Sequence, residues 1–96
     1  MTTYFVTRHT GASDWAQQHG ITARIVAHLD PEIIVAGDNV LGTLPVHIAA
    51  QICAHDARYF HLILEVPETM RGQELTAEDM TRLGARLAEY RIERRD

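Results

Sequence analysis

Apolar positions in this chain fall into short blocks set apart by glycine, proline and acidic residues. Thr3-Tyr4-Phe5-Val6-Thr7-Arg8 is β-branched and aromatic, the composition of a strand. His9-Thr10-Gly11-Ala12 interrupts it. Ser13 can cap a short helix, Asp14-Trp15-Ala16-Gln17-Gln18, that stops before Gly20. Asp14 in its first turn suits the helix dipole. Ile21 to His28 reads as a second strand, and Leu29-Asp30-Pro31-Glu32 as a turn, since proline restricts its own backbone and that of Asp30. The pattern leaves Ile33-Ile34-Val35 unassigned. Gly37-Asp38-Asn39 signals a turn. Val40-Leu41-Gly42-Thr43 then predicts a strand running into a helix from Pro45 to Ala54, with proline at the first helical position, where an N–H has no intrahelical partner.

Arg58 to Val66 is the clearest strand, apolar enough at its centre for a position buried on both faces, and Pro67 ends it. Glu68 to Gln73 is a polar loop. Thr76-Ala77-Glu78-Asp79 opens a last helix in the manner of a capping box, with Asp79 where Glu or Gln is usual. Met80, Leu83, Leu87 and Tyr90 form its apolar stripe, with Glu78 and Arg82 as an i,i+4 pair. The tail from Glu93 to Asp96 is expected to fray. The order is βαβ, βαβ, then α, which predicts an α/β fold with a mostly parallel sheet flanked by helices.

A chain of 96 residues is expected to form one domain, residues 1–96, with one modest core. Its net charge of −4 argues against duplex nucleic acid, where affinity comes from neutralising many phosphates. A ligand with a few phosphates remains compatible, because a local site can be positive on an acidic protein. All 9 basic residues are arginine. A GC-rich genome would account for that, and with or without that origin every cationic contact is a planar fork suited to phosphate or carboxylate. Cys53, the 1 cysteine, allows no intrachain disulfide and reads as a small buried hydrophobe. With no signal peptide and no apolar run near about 18 residues, the expected location is cytoplasmic, with no membrane partner.

In open α/β sheets ligands bind beyond the carboxyl ends of the strands. That rule selects the loops 9–12, 28–32, 42–45 and 67–73, which hold Arg8, His9, Gly11, His28, Asp30, Gly42, Thr43, Glu68 and Arg71. Gly42-Thr43-Leu44-Pro45 is a strand-to-helix junction. It suits either a helix cap or an anion cradle built from free N–H groups. Arg8 can clamp a phosphate and His9 can transfer a proton, or the two are a surface ion pair and a solvated histidine. Trp15 suits base stacking as well as a core or interface position. His47 can face the same cradle from the first turn after Pro45. Arg71 is either solvated or turned to the same edge. Asp38 suits a turn or a chemical role. The 6 histidines invite a metal, but His28-x-Asp30 and His55-Asp56 lack the spacing of a zinc motif, so no metal or cofactor is expected.

In order, Thr7-Arg8-His9-x-Gly11-Ala12-x-x-Trp15, Gly37-Asp38-x-Val40-x-Gly42-Thr43-Leu44-Pro45 and Arg71-Gly72-x-Glu74-Leu75 resemble the small CRISPR-associated Csx-sixteen family, ancillary proteins of type III CRISPR loci. The resemblance covers essentially the whole chain. It implies a small Rossmann-like domain that binds a cyclic oligoadenylate, as a homodimer with cyclic tetra-adenylate on the two-fold axis. It further implies a ring nuclease that cleaves this messenger without a metal, leaving 2′,3′-cyclic phosphate ends, and so switches antiviral signalling off. On that expectation Arg8, His9 and Arg71 carry the chemistry. Thr7, Thr10, Gly11, Trp15, Gly42, Thr43, Leu44, Pro45 and His47 contact the ligand. The alternatives are a binder that senses or sequesters the messenger uncut, and a metal-dependent phosphoesterase using His28, Asp30 or Asp38.

Overall fold

The computed structural model describes residues 1–96. Its elements are β1 (Thr3–Val6), α1 (Thr10–Gln18), β2 (Arg24–Val26), β3 (Asn39–Gly42), α2 (Val46–Ala54), β4 (Arg58–Ile63), α3 (Ala77–Arg82) and β5 (Arg86–Tyr90). Single 3-10 turns occupy Pro31–Ile33 and Glu68–Met70. The sheet order is β2-β1-β3-β4-β5, parallel throughout except that β5 runs antiparallel to β4. This is the expected α/β architecture, a mostly parallel sheet flanked by helices.

Alternation along each strand explains the two layers. Tyr4, Val40 and Tyr59 pack with Ala49, Ile52 and Cys53 of α2 on one face. Phe5, Leu41 and Phe60 pack with Ala12, Trp15 and Ala16 of α1 and with Ala77 and Met80 of α3 on the other. Strands covered on both sides have no polar face to show, hence their nearly unbroken apolar runs.

Several sequence expectations shift, and the segment that the pattern leaves unassigned takes a definite form. Helix α1 starts at Thr10 with His9 as its N-cap, ahead of Ser13, whose hydroxyl instead donates to the His9 carbonyl at 3.4 Å. The reason is packing: Gly11 lies against the chain entering α3, where a Cβ would stand 1.8 Å from the Leu75 carbonyl oxygen. Pro45 is the N-cap of α2 rather than its first residue. Ile33-Ile34-Val35 forms no strand, and Ile34 is buried in the α2 layer.

The largest correction concerns the last helix. The capping box exists, with Asp79 N donating to Thr76 Oγ1 and Thr76 N donating to Asp79 Oδ2, both at 3.1 Å. Arg82, however, bonds Asp79 at 2.6 Å instead of pairing with Glu78. The helix caps at Leu83, and Gly84, at φ +78°, turns the chain into β5. Leu87 then packs in the α1/α3 layer, whereas Tyr90 lies opposite Tyr59 on the other side of the sheet. Their helical spacing was coincidental.

Asp38, at 3% exposure, accepts from Thr2 N at 2.9 Å and Val35 N at 3.1 Å. It staples the amino end of β3, at the opposite edge from the loops expected to bind ligand, which identifies it as a turn residue. Those two backbone N–H groups hold its carboxyl below the ordinary value of 3.8.

Gly11→Ala is expected to destabilise the fold by about 1–3 kcal/mol, the range for extra volume in a packed interior. The midpoint of a circular-dichroism melt should fall by at least ~4 °C. Because the Asp38 pKa is lowered on folding, its stabilisation is complete above the ordinary value and is lost as pH falls through the lower folded value. Asp38→Asn should therefore melt below the parent chain at pH 7, and the gap should close in acid.

Candidate functional site

The connections of β1 leave toward β2 on one side while β3 lies on the other, so the strand order reverses between β1 and β3. At such a point the loops beyond the carboxyl ends part and leave a crevice. Here it is a cleft of about 440 Å³. Phe5, Val6, Ala12, Ala27, Leu62, Leu64, Leu75 and Met80 make it apolar within, and Thr7, Arg8, His9, Gly42, Thr43 and Gln73 give it polar groups.

Gly42 sits at φ +150°, in the region that favours glycine, and a Cβ there would stand 2.9 Å from the Val6 carbonyl oxygen. The missing side chain therefore lets the ends of β1 and β3 approach. Thr43 follows, with its hydroxyl 3.4 Å from the Leu62 carbonyl. The next backbone N–H, that of Leu44, is already used: it donates to the buried Tyr59 hydroxyl at 3.0 Å. Tyr59 Oη is also 3.2 Å from the Gly42 carbonyl and 2.7 Å from His61 Nδ1.

Arg8 reaches from the end of β1 to His28, beyond β2, with Nη2 3.1 Å from Nε2 and 3.3 Å from Nδ1. The guanidinium donates and the imidazole accepts. His9 is held twice, by its N–H on Thr7 Oγ1 at 3.1 Å and by Nδ1 on Glu74 Oε1 at 3.0 Å. Both side chains of the His9–Glu74 pair are 68% exposed, so the pair orients the ring more than it stabilises the fold.

Thr7, Arg8, His9, Gly42 and Thr43 thus share the cleft. Other expected site residues stand elsewhere. Thr10 is exposed at the start of α1, and Gly11 is covered by Leu75. Trp15 is 3% exposed in the core, its ring 4.7 Å from that of His19, so it presents no face to a base. Leu44 packs beneath α2, and Pro45 caps that helix. His47 lines a separate groove of about 680 Å³ between α2 and residues Arg91 to Arg94. Arg71 occupies a neighbouring depression that shares Leu64, Gln73 and Leu75 with the cleft, and its Nε lies 3.5 Å from the Val66 carbonyl. No three His, Cys, Asp or Glu side chains come together in a metal-binding group.

Glu74, Gln73, Tyr59 and His61 were not singled out from the sequence as site residues. Glu74 stands inside a quoted motif. Tyr59-x-His61 on a strand puts both side chains on one face, which is the signal that was available.

Over residues 4–93 the chain matches the family described as "Putative CRISPR-associated protein (Cas_VVA1548)". It belongs to this CRISPR-associated family. No curated protein and no solved structure matches it. In this CRISPR-associated chain parts of the three motifs meet at the carboxyl edge of the sheet, while Gly37-Asp38 of the second lies at the opposite edge. Gly11 touches Leu75, His9 bonds Glu74, and Gly42 lies beside Val6, the residue before Thr7. No helix is long and apolar enough to cross a membrane.

Arg8 and His9 are exposed and hold nothing in the core. Arg8→Ala and His9→Ala should each shift stability by no more than about 0.5 kcal/mol, as surface substitutions do. Thermal melts within a few degrees of the parent would make these variants clean probes of the cleft.

Proposed function

We propose that this CRISPR-associated protein is a ring nuclease. It binds a cyclic oligoadenylate, cyclic tetra-adenylate in the first place, and cuts it to linear products ending in a 2′,3′-cyclic phosphate, which ends type III CRISPR signalling in the cytoplasm. The observation that carries the reading is the cleft between β1 and β3: an apolar interior suited to a nucleobase, with Arg8, His9 and Thr43 at its polar positions.

The reaction requires little apparatus. A ribose 2′-hydroxyl attacks the adjacent phosphorus, the bond to the 5′ oxygen breaks, and the proton lost by the 2′-hydroxyl is balanced by one gained at the 5′ oxygen. In-line positioning and stabilisation of the phosphorane charge supply most of the rate. Arg8 would exchange His28 for a phosphate oxygen. His9, with Nδ1 on Glu74, keeps Nε2 for proton transfer. A 440 Å³ cleft takes only part of a four-nucleotide ring, so the reading includes a homodimer in which a second copy supplies an identical cleft across a two-fold axis.

Arg71, outside the cleft, favours a second reading in which the protein sequesters the messenger uncut, since only Arg8 then faces the reacting phosphate. Incubation of the purified chain with labelled cyclic tri-, tetra- and hexa-adenylate, with and without EDTA, decides between them. The expected result is EDTA-insensitive conversion of the tetra-adenylate to cyclic-phosphate products, with Arg8→Ala slower by roughly 10²–10³, the usual loss for one donor to a developing oxyanion. Tight binding with the ring intact after prolonged incubation at high protein would establish sequestration. Cleavage abolished by EDTA would establish metal dependence.

A further inference from the structure

We infer that Tyr59 and His61 are positioning residues that lock the Gly42–Leu44 turn, and that His61 carries its proton on Nδ1. The consequence for ligand binding rests on the cyclic-oligoadenylate reading; the hydrogen-bond assignment does not.

The inference follows from counting protons at one oxygen. Tyr59 is 1% exposed, and its hydroxyl ends beneath the turn. Within reach are Leu44 N at 3.0 Å, the Gly42 carbonyl at 3.2 Å and His61 Nδ1 at 2.7 Å. A phenol has a single hydrogen and can accept two bonds. Leu44 N–H can only donate and the Gly42 carbonyl can only accept. Tyr59 therefore accepts from the Leu44 N–H, and all three neighbours are satisfied together only when its own hydrogen goes to the Gly42 carbonyl and not to His61. Its remaining lone pair faces His61, which completes the set only if Nδ1 bears a hydrogen. With the proton on Nε2 instead, His61 and the Gly42 carbonyl compete for the same phenolic hydrogen. Burial raises the Tyr59 pKa, so the hydroxyl stays protonated and able to donate near neutrality.

The arrangement brackets Thr43. Tyr59 holds the carbonyl before it and the N–H after it, while Thr43 itself lines the cleft. Gly42 at φ +150° has broad conformational freedom, so a restraint at this point has something to restrain. The imidazole is in turn fixed edge-on between two rings, Tyr59 at 5.8 Å and Tyr90 at 6.0 Å.

The test uses the full chain labelled with ¹⁵N. Long-range proton–nitrogen correlation at neutral or mildly alkaline pH should show the Nδ1–H tautomer at His61. Tyr59→Phe keeps the ring and should shift the Thr43 and Leu44 amide resonances and weaken cyclic tetra-adenylate binding about tenfold, the scale of one orphaned hydrogen-bonding group. His61→Leu should move the same resonances. His61→Asn, which can place an amide donor near the Nδ1 position, should restore them toward parental values. An Nε2–H tautomer, or His61→Leu with parental Thr43 and Leu44 resonances, would overturn the inference. If the parental chain binds no cyclic tetra-adenylate, the ligand reading fails, and tautomer and resonances alone decide the clamp.

Discussion

β1 and β3 lie side by side at the centre of the sheet with Val6 opposite Gly42, and a side chain at residue 42 would collide with the Val6 carbonyl. That close approach governs much of the molecule. It lets two strands buried on both faces stay paired to their carboxyl ends, where the chain then departs in different directions. The divergence opens the cleft. Without it, Thr7, Arg8 and His9 would end one strand and Thr43 another, with no shared space between them.

A second close approach does the same for the other wall. Gly11 allows the first turn of α1 to rest directly on the Leu75 backbone, and that contact brings Glu74 to within hydrogen-bonding distance of His9. Residues that resemble ligand-binding glycines in a motif therefore act here through packing: each removes a Cβ so that one polar side chain can meet another. The distinction bears on how variants are read. A substitution at Gly11 or Gly42 disturbs the frame as well as any ligand, whereas Arg8 and His9 report on the site alone.

Much of this was legible in the sequence. The strand-and-helix alternation, the parallel sheet, the capping box at Thr76 and the edge of the sheet that gathers polar residues all follow from local composition and from one topological rule. Three things did not. The start of α1 is set by Leu75, far along the chain, against a serine that offers a perfectly good local cap. The last strand carries apolar residues at helical spacing, and only the glycine at 84 marks the break; β5 is stabilised by pairing with β4, which no local pattern displays. His47 is the third, carried by the turn of α2 to a groove separate from the cleft. For Trp15 the sequence leaves a core position open beside base stacking, and the burial of its ring decides for the core.

The electrostatics of the cleft are those that an anionic ligand would require. On a chain of net charge −4, most of the paired arginines are satisfied by carboxylates: Arg58 by Glu89, Arg82 by Asp79, Arg91 by Glu93 and Arg94 by Asp96. Arg8 is held by an imidazole instead. A carboxylate partner would neutralise the guanidinium and have to be displaced at the cost of a charged pair. A neutral imidazole accepts a hydrogen bond, steadies the side chain and leaves its full charge in place. Exchanging that acceptor for a phosphate oxygen replaces a neutral hydrogen bond with a charge-assisted one, which is stronger by roughly a factor of two. The same exchange would free His28, which lies just beyond β2. Arg8 is thus pre-positioned without being spent, and this is the condition under which a single arginine on an acidic protein can govern whether an anionic ligand stays.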